Sequence, residues 1–179
     1  PDAITVAYSY IGPVLTHPMY RDGSIGKAKD HLFKTAKEIT EEFNGIRAYL
    51  SVNKALVTQS SAAIPIVPLY ISILYKVMKA KGCHEGCIEQ MYRLFNQKLF
   101  GEKPVLDAEG RIRLDDLELQ DDIQEEVTKL WSDISTEKIA ECADIDGYWE
   151  EFYKLFGFKV TGVDYDAETD VEVKIDSID

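Results

Sequence analysis

The side chains best suited to proton chemistry lie close together between residues 8 and 29. Eight residues separate Tyr20 from Lys29, and the Gly23-Ser24 step lies among them. On one continuous helix, nine positions at about 100° each would place these two side chains on opposite faces. A helix that begins at the Gly23-Ser24 break instead allows Tyr20 to fold back from the preceding loop over the face that carries Lys29. The spacing then predicts a shared site.

Such a pair can transfer a proton. A tyrosine has an ordinary pKa of about 10, and it becomes a proton donor near neutral pH when a lysine ammonium and a ligand hydroxyl lie beside it. Lys27 and Lys29 also stand in the first turns of the expected helix, where the helix dipole disfavours a cation by about 0.3–1 kcal/mol. Residues that break a local rule are functional candidates. The alternative is a surface lysine and a packed loop tyrosine, because tyrosines usually pack.

Two further tyrosines, Tyr8 and Tyr10, lie at the end of the segment that precedes Tyr20 and Lys29 in the sequence. Apolar and small residues fill both alternating faces of Ala3–Tyr10, a pattern that predicts an interior parallel strand covered on both sides. Tyr8 is expected to pack in the core. For Tyr10, next to the Gly12-Pro13 turn, core packing and a hydroxyl aimed into a pocket both stay open. Pro18 predicts an irregular connection without a helix at His17.

A helix and a second strand follow this connection. Ser24 is a good N-cap, and Asn44-Gly45 is typical of a helix end. Residues 46–52 (IRAYLSV) read as a strand. The order strand, loop, helix, strand is the crossover unit of a doubly wound parallel sheet, so the fold class is predicted to be α/β. In such sheets ligands bind beyond the carboxyl ends of the strands, which places a site at the loops after Tyr10 and Val52.

The remainder of the chain is predicted to be mainly helical. Residues 1–62 are expected to form the sheet with the Tyr/Lys pair, and residues 63–179 a helical extension and tail. The helix over residues 85–100 is expected to bury a stripe made of Ile88, Met91, Tyr92, Phe95 and Leu99. The other predicted elements are helices at 65–81, 117–132, 135–143 and 146–156 and a short strand at 111–114.

Charge is divided unevenly along the chain. Residues 1–90 carry ten Lys/Arg against eight Asp/Glu, whereas residues 91–179 carry ten against 24. Such an acidic second half argues against nucleic acid or an anionic membrane as the main partner. Three cysteines are too few and too odd in number for a disulfide framework, which predicts a protein of the reducing cytoplasm. No apolar run is long enough for a membrane span, and no signal peptide is visible. The chain opens inside a strand without an initiator Met, as expected for a fragment.

Other clusters of reactive residues have ordinary explanations. Cys83, His84 and Cys87 look like half of a zinc site, but no second Cys/His pair follows, so no metal is predicted. The acidic residues between 164 and 170 lack the glycine and glutamate that an EF-hand requires, and a solvated turn is favoured. Residues 115–126 are read as the solvated face of a helix. Neither standard glycine-rich phosphate loop is present.

Longer motifs point to a known family. The chain resembles the carboxyl-terminal half of the FabV-type enoyl reductases, a branch of the Rossmann-like short-chain dehydrogenase/reductase fold, over essentially its whole length. The segments that carry the resemblance are AYSYIGP, THPMYRDGSIGKAK, VNKALVTQSSAAIP, PLYISILYKVMK and HEGCIEQMYRLF.

The resemblance implies an activity and assigns roles. These enzymes reduce the 2,3 double bond of enoyl thioesters with NADH in fatty acid synthesis, and their amino-terminal half holds most of the dinucleotide. By position, Tyr20 matches the proton donor and Lys29 the catalytic, cofactor-binding lysine, which also keeps the phenol acidic. Tyr10 matches the substrate-binding tyrosine. Leu56, Val57 and Thr58 match the segment at the nicotinamide. The helices after residue 62 match an enlarged substrate-binding region.

Two questions stay open at the level of sequence. The carrier can be coenzyme A or an acyl carrier protein, and the acidic second half favours coenzyme A because it would repel an acidic carrier. The alternative function is a non-catalytic acidic interaction module whose tyrosines are structural. For the reductase we expect a monomer that needs the amino-terminal half of the same protein, so that the chain alone is inactive.

Overall fold

Alternating apolar residues in two segments build the centre of the fold, a parallel sheet. The computed structural model describes residues 3–172. Strand β1 (Ala3–Ser9) pairs with β2 (Ile46–Val52), from Ala3 opposite Ile46 to Ser9 opposite Val52. Strand β3 (Ile112–Arg113) pairs in parallel with the end of β2, in the order β1-β2-β3. The predicted α/β class with a parallel sheet and additional helices is confirmed.

Helices connect the strands and form the second half of the fold. A 3₁₀-helix (Val14–Met19) follows β1, and the helix between β1 and β2 is the predicted crossover. In chain order the helices are α1 (Ser24–Glu42), α2 (Gln59–Ala63), α3 (Val67–Ala80), α4 (Cys87–Arg93), which continues as a π-helix over Leu94–Leu99, α5 (Asp121–Asp133), α6 (Ile139–Cys142) and α7 (Ile145–Lys154).

Helices flank strand β2 from two sides, as expected of a doubly wound fold. Successive residues of a strand face opposite sides. On one side, Thr40 of α1 accepts a hydrogen bond from the Ala48 N–H at 2.9 Å. On the other side, Tyr49 packs against a cluster that includes Leu94 and Leu99 of the π-helix. The crossover helix and the π-helix therefore enclose β2 between them.

Helix α3 is the centre of the larger core. Its residues are apolar on nearly every side, and most of them are buried, including Ile73 and Leu74. Such a helix must be surrounded by other elements. It packs against α5 and α7. Its two lysines lie where the core ends, since Lys76 donates to the Ala140 carbonyl at 3.3 Å and Lys79 pairs with Asp144 at 2.6 Å.

Strand β1 differs from its prediction. It is an edge strand of this sheet, not an interior one, because β2 is the one strand it pairs with among residues 3–172. The first residues of β1 are exposed. Tyr8 was predicted to pack in the core, yet its side chain is 49% exposed. The alternation is correct for a strand, but cover on both sides depends on neighbouring elements that local sequence does not specify.

The predicted buried stripe over residues 85–100 is wrong for several of its members. Ile88, Tyr92 and Phe95 are exposed, whereas Gln90 and Leu94 are buried. The reason is the Arg93 guanidinium, which lies on the inner side and pairs with Glu85 at 2.6 Å. This polar anchor turns the helix so that much of its apolar face lies outward.

Smaller differences concern the ends of elements. Ser24 is the first residue of α1 rather than its N-cap, and Gly23 occupies the cap position without a side-chain bond. Pro18 lies inside the 3₁₀-helix, whose bonds do not use its missing N–H, so the absence of a helix at His17 was wrongly predicted. Helix α2 was not anticipated. The second strand and the short strand near residue 112 are confirmed.

Within residues 3–172, no helix combines the length and the apolar character that crossing a membrane requires. The acidic turn near residue 164 is exposed, with the Asp166 N–H bonded to Asp164, which agrees with its predicted solvated character. The predicted tail continues to residue 179, and its last seven residues lie outside the described part of the chain.

A pair of matched isoleucine substitutions tests which helical residues form the core. Ile73 in α3 is 0% exposed and Ile88 in α4 is 78% exposed. We expect Ile73→Ala to lower the free energy of unfolding by about 2–5 kcal/mol, because it removes buried methylene groups and leaves a cavity. Ile88→Ala should change it by less than about 0.5 kcal/mol. Urea unfolding followed by circular dichroism measures both values, and equal losses would contradict the placement of α3 in the core.

Candidate active site

A cavity of about 320 Å³ opens at the carboxyl ends of β1 and β2. Ser9 and Tyr10 border it at the end of β1, and the loop that begins at Asn53 borders it after β2. The edge of the sheet at which ligands were expected is therefore the edge that carries a cavity. Its lining comprises Tyr8, Ser9, Tyr10, Tyr20, Lys29, Asn53, Lys54, Ala55, Leu56, Thr58, Ser60, Ser61, Ile64, Val67 and Ile71.

Tyr20 is held at the end of the 3₁₀-helix. Its backbone N–H donates to the carbonyls of Thr16 at 3.1 Å and His17 at 3.2 Å. Its ring packs edge-on against the ring of Tyr10, with centroids 5.2 Å apart. Burial raises the pKa of the Tyr20 hydroxyl above its ordinary value. The effect of Lys29 on the acidity of this phenol was expected with a ligand hydroxyl beside the pair, and it stays a prediction.

Lys29 lies at the rim of the same cavity. Its ammonium donates to the Tyr8 carbonyl at 3.2 Å, which ties α1 to the end of β1. The neighbouring residue, Asp30, pairs with Arg21 at 3.0 Å and so connects α1 back to the loop that carries Tyr20. The tyrosine and the lysine thus share one cavity, as the spacing predicted.

Gly26 permits this close approach of loop and helix. A Cβ atom at Gly26 would overlap the backbone carbonyl of Arg21. The loop after Tyr20 therefore lies directly on the first turn of α1, which a larger residue would hold away. The Gly23-Ser24 break alone does not bring the two side chains together. A second glycine, three residues later, supplies the space.

The loop after β2 forms the opposite wall. Leu56 and Thr58 line the cavity, but Val57 does not: it is buried, and its N–H donates to the Tyr75 hydroxyl at 3.2 Å. Thr58 begins α2 with a capping box, in which its hydroxyl accepts from the Ser61 N–H at 3.0 Å. Two of the three residues expected at the nicotinamide therefore face the cavity through this loop.

The hydroxyl of Tyr10 forms a hydrogen bond with Glu118, a residue whose burial the sequence pattern did not predict. This hydroxyl donates to Glu118 Oε1 at 3.0 Å, and desolvation raises the pKa of this tyrosine well above its ordinary value. Residues 115–126 were read as a solvated helix face, yet Asp115 and Glu118 are both fully buried. Asp115 forms an ion pair with Arg113 at 2.6 Å. Leu117 and Leu119 on either side of Glu118 were the available signal of burial.

Lys54 is the second buried charge that was missed. Its side chain is 2% exposed, lines the cavity and donates to the Ala55 carbonyl at 2.9 Å. Its ammonium also lies 4.8 Å from the centre of the Tyr75 ring. Desolvation lowers its pKa to about 8, against which the negative charge of Glu118 acts. A lone lysine in a loop of small and apolar residues, directly after a buried strand, was the signal that could have revealed it.

The cysteines do not come together as a metal site. Among residues 3–172, no three His, Cys, Asp or Glu side chains are grouped closely enough to hold a metal ion. Cys83, Cys87 and Cys142 are free thiols.

These features define a class of protein. A parallel α/β sheet with a ligand cavity at its carboxyl edge is the architecture of the Rossmann-like folds, and here a tyrosine and a lysine line that cavity. The family model described as the trans-2-enoyl-CoA reductase catalytic region matches residues 1–100. The chain belongs to the trans-2-enoyl-CoA reductase family. A second model, described as the enoyl reductase FAD binding domain, matches residues 106–169.

Individual relatives agree with this assignment. The chain is 52% identical to a trans-2-enoyl-CoA reductase [NADH] of Ruminiclostridium cellulolyticum, covering 99% of this chain and 45% of that protein. It is 54% identical to an enoyl-[acyl-carrier-protein] reductase [NADH] of Coxiella burnetii, with coverage of 97% and 44%. A crystal structure of Clostridium acetobutulicum trans-2-enoyl-CoA reductase in complex with NADH superimposes with a TM-score of 0.87 at 51% identity, covering 96% of this chain and 44% of that one.

The chain therefore spans less than half the length of the curated relatives it matches. The resemblance inferred from its motifs is confirmed at the level of the family.

The residues of the second matched region do not fit FAD. Residues 106–169 contain six Lys/Arg and 19 Asp/Glu, an unfavourable balance for a dinucleotide diphosphate. Within the described chain, four of these cations are already in ion pairs with carboxylates. These four are Arg111, Arg113, Lys138 and Lys154. The cavity in this region has a mainly aromatic lining and offers a phosphate a single cation, Lys159; its other lining residues are Phe152, Tyr153, Phe156 and Phe158.

The buried charge of Lys54 predicts a pH dependence of stability. Its pKa is about 8 in the folded protein and is taken as 10.5 in the unfolded chain. Between these values the unfolded state binds the proton and the folded state does not, so the free energy of unfolding gains about 3 kcal/mol as the pH rises. We expect Lys54→Met to remove this gain, measured as the difference from the unsubstituted protein in urea unfolding at several pH values.

The exposed Lys103 supplies the matched control for Lys54. Lys103→Met should leave the pH dependence of unfolding as it is in the unsubstituted protein. Because tyrosines also titrate at high pH, the comparison is made between variants at each pH. Parallel curves for Lys54→Met and the unsubstituted protein would contradict the proposed desolvation of Lys54.

Proposed function

We propose that the protein containing this chain reduces the 2,3 double bond of trans-2-enoyl thioesters with NADH, in fatty acid synthesis. The observation that carries the proposal is the convergence of Tyr10, Tyr20, Lys29 and the loop at Leu56 on one cavity at the carboxyl edge of the sheet. The names of the relatives, which describe NADH-dependent enoyl reductases, support the same activity.

The residues present fit the nicotinamide end of NADH, which when bound supplies the hydride to the β-carbon of the substrate. Lys29 has three N–H donors and one protein acceptor, the Tyr8 carbonyl, among the described residues. Its remaining donors can hold the hydroxyls of a ribose. Leu56 and Thr58 form the wall beside it, and Val57 contributes only through the backbone that it anchors in the core.

Tyr20 is proposed as the proton donor. When the β-carbon is reduced, negative charge develops on the thioester oxygen as an enolate, and a hydroxyl aimed at that oxygen stabilises the transition state more than the ground state. The raised pKa of Tyr20 keeps its proton in place until that charge appears. Burial thus favours a neutral donor, and the developing enolate supplies the drive for transfer.

Tyr10 is proposed to contact the substrate beside Tyr20, because the two rings pack against each other in the cavity wall. Ile64, Val67 and Ile71 add apolar surface on the side of α3, which suits an acyl chain. We propose on this basis that residues 1–62 carry the catalytic pair and that residues 63–179 form the substrate-binding extension. Strand β3 of that extension also joins the sheet.

The charge of the chain and the open edge of its sheet support proposals on the acyl carrier, the partners and the cellular location of the protein. We propose coenzyme A rather than an acidic carrier protein, since the second half of the chain is strongly acidic. We also propose a cytoplasmic monomer, without nucleic acid or membrane partners, in which a dinucleotide-binding segment completes the cofactor site. Strand β1 supports such a segment, because its outer edge is open to pairing.

Removing one hydroxyl tests the proposal. In the full-length protein that contains this chain, we expect Tyr20→Phe to lower kcat for crotonyl-CoA at least about tenfold, because a general acid is lost. The absorbance of NADH follows the reaction, and circular dichroism checks that the fold is intact. Tyr92→Phe is the matched control, since Tyr92 is exposed on α4. It should retain full activity.

Near-normal NADH oxidation by folded Tyr20→Phe would exclude Tyr20 as the proton donor. A full-length protein that neither binds NADH nor reduces crotonyl-CoA, with Tyr20 and Lys29 unchanged, would favour the non-catalytic interaction module instead.

A further inference from the structure

Glu118 lies in the turn between β3 and α5, and its side chain is 0% exposed. The turn is closed by the Leu119 N–H, which donates to the Asp115 carbonyl at 2.9 Å. The carboxylate extends from this turn into the core, toward the end of β1, the loop after β2, and α3. A buried carboxylate is costly unless donors surround it.

Three donors converge on this carboxylate, each from a different element. Oε1 accepts from the Tyr10 hydroxyl at 3.0 Å and from the Tyr70 hydroxyl at 2.6 Å. Oε2 accepts from the Ala55 N–H at 2.7 Å. Gln124 donates to the Glu118 carbonyl at 2.7 Å and so holds the backbone beneath it. The side chain has no freedom to rotate without losing charge-assisted bonds.

Two of the three partners line the proposed active site. Tyr10 stands at the end of β1, and Ala55 precedes Leu56 in the opposite wall. A single carboxylate therefore sets the distance between the two walls. Tyr70, which is fully buried in α3, fixes that carboxylate to the core.

The bond to Glu118 also sets the direction of the Tyr10 proton. A phenol has one O–H, and Tyr10 places it on Glu118 Oε1. While Tyr10 donates to Glu118, its O–H is not available to another acceptor, although its oxygen can still accept a hydrogen bond. Loss of the carboxylate would leave this hydroxyl free to rotate.

We propose that Glu118 is a positioning residue of the reductase, which acts through Tyr10 by fixing the orientation of the Tyr10 hydroxyl and its distance from the wall at Leu56. The proposal rests on the proposed function. Glu118 is held among protein donors, anchored by the Ala55 N–H, and works through Tyr10 rather than on a substrate. Through Glu118, the acidic region at residues 106–169 has a role at the proposed active site that does not require this region to bind a cofactor.

The test is a double-mutant cycle in the full-length protein that contains this chain, with crotonyl-CoA and NADH. Glu118→Gln keeps the shape of the side chain but cannot accept on both oxygens. We expect it to lower kcat/KM about tenfold in the presence of Tyr10, since the loss acts on the transition state. In the Tyr10→Phe background the same substitution should cost less than about twofold, because residues that act as a unit are not additive. A merely structural residue would show equal losses in both backgrounds.

Two further variants keep the result interpretable. Glu125→Gln removes the same charge from the exposed face of α5 and should leave kcat/KM unchanged. Glu118→Asp keeps the charge but is too short to reach Tyr10 and Ala55 together, and it is expected to lower kcat/KM about as much as Glu118→Gln. It replaces Glu118→Gln in the cycle if that variant does not fold.

The outcomes separate the two proposals. Inactive unsubstituted protein overturns the proposed function. If the unsubstituted protein is active and the folded Glu118 variants have normal kcat/KM, the role of Glu118 is overturned. The role is also overturned if the Glu118 variants lose the same activity in the Tyr10→Phe background as in the presence of Tyr10. A large loss that disappears in the Tyr10→Phe background supports it.

Discussion

A carboxylate without access to water is the constraint on which this structure depends. Removing Glu118 from solvent carries a large desolvation cost, and each charge-assisted hydrogen bond returns only about 1.5–3 kcal/mol. The donors from Tyr10, Tyr70 and Ala55 must therefore all be in place together. Because they come from three elements, satisfying one carboxylate orders the strand end, the loop after β2 and the central helix at once.

Lys54 is the counterpart of this carboxylate. It is buried in the loop that Glu118 holds, and the attraction of Glu118 opposes the fall of its pKa. Lys54 lines the cavity, and Glu118 is bonded to two of its lining residues. Two buried charges of opposite sign are a costly way to stabilise a fold. We infer that this arrangement limits this part of the chain to one conformation. The proposed reaction requires such order, because its two reactants must be oriented in the same cavity.

The two regions matched by the family models depend on each other at this point. The catalytic region supplies Tyr10, Tyr20 and Lys29, and the second region supplies Glu118 and strand β3. Helix α3 of the catalytic region packs against α5 and α7 of the second region. The second region thus contributes to the cavity by holding its walls, although its acidic surface, with four of its six cations in ion pairs, is unfavourable for a dinucleotide.

The sequence by itself determined the crossover unit and the edge of the sheet at which the site lies, because alternation, helical periodicity and glycine breaks are local properties. The spacing of Tyr20 and Lys29 was enough to predict that they share a cavity, and the motifs were enough for the family. Only the tertiary structure decided which charges are buried. In the sequence Glu118 resembles the solvated acidic residues near it. Its burial arises from contacts with Tyr70, Ala55 and Tyr10, which precede it in the chain by 48, 63 and 108 positions.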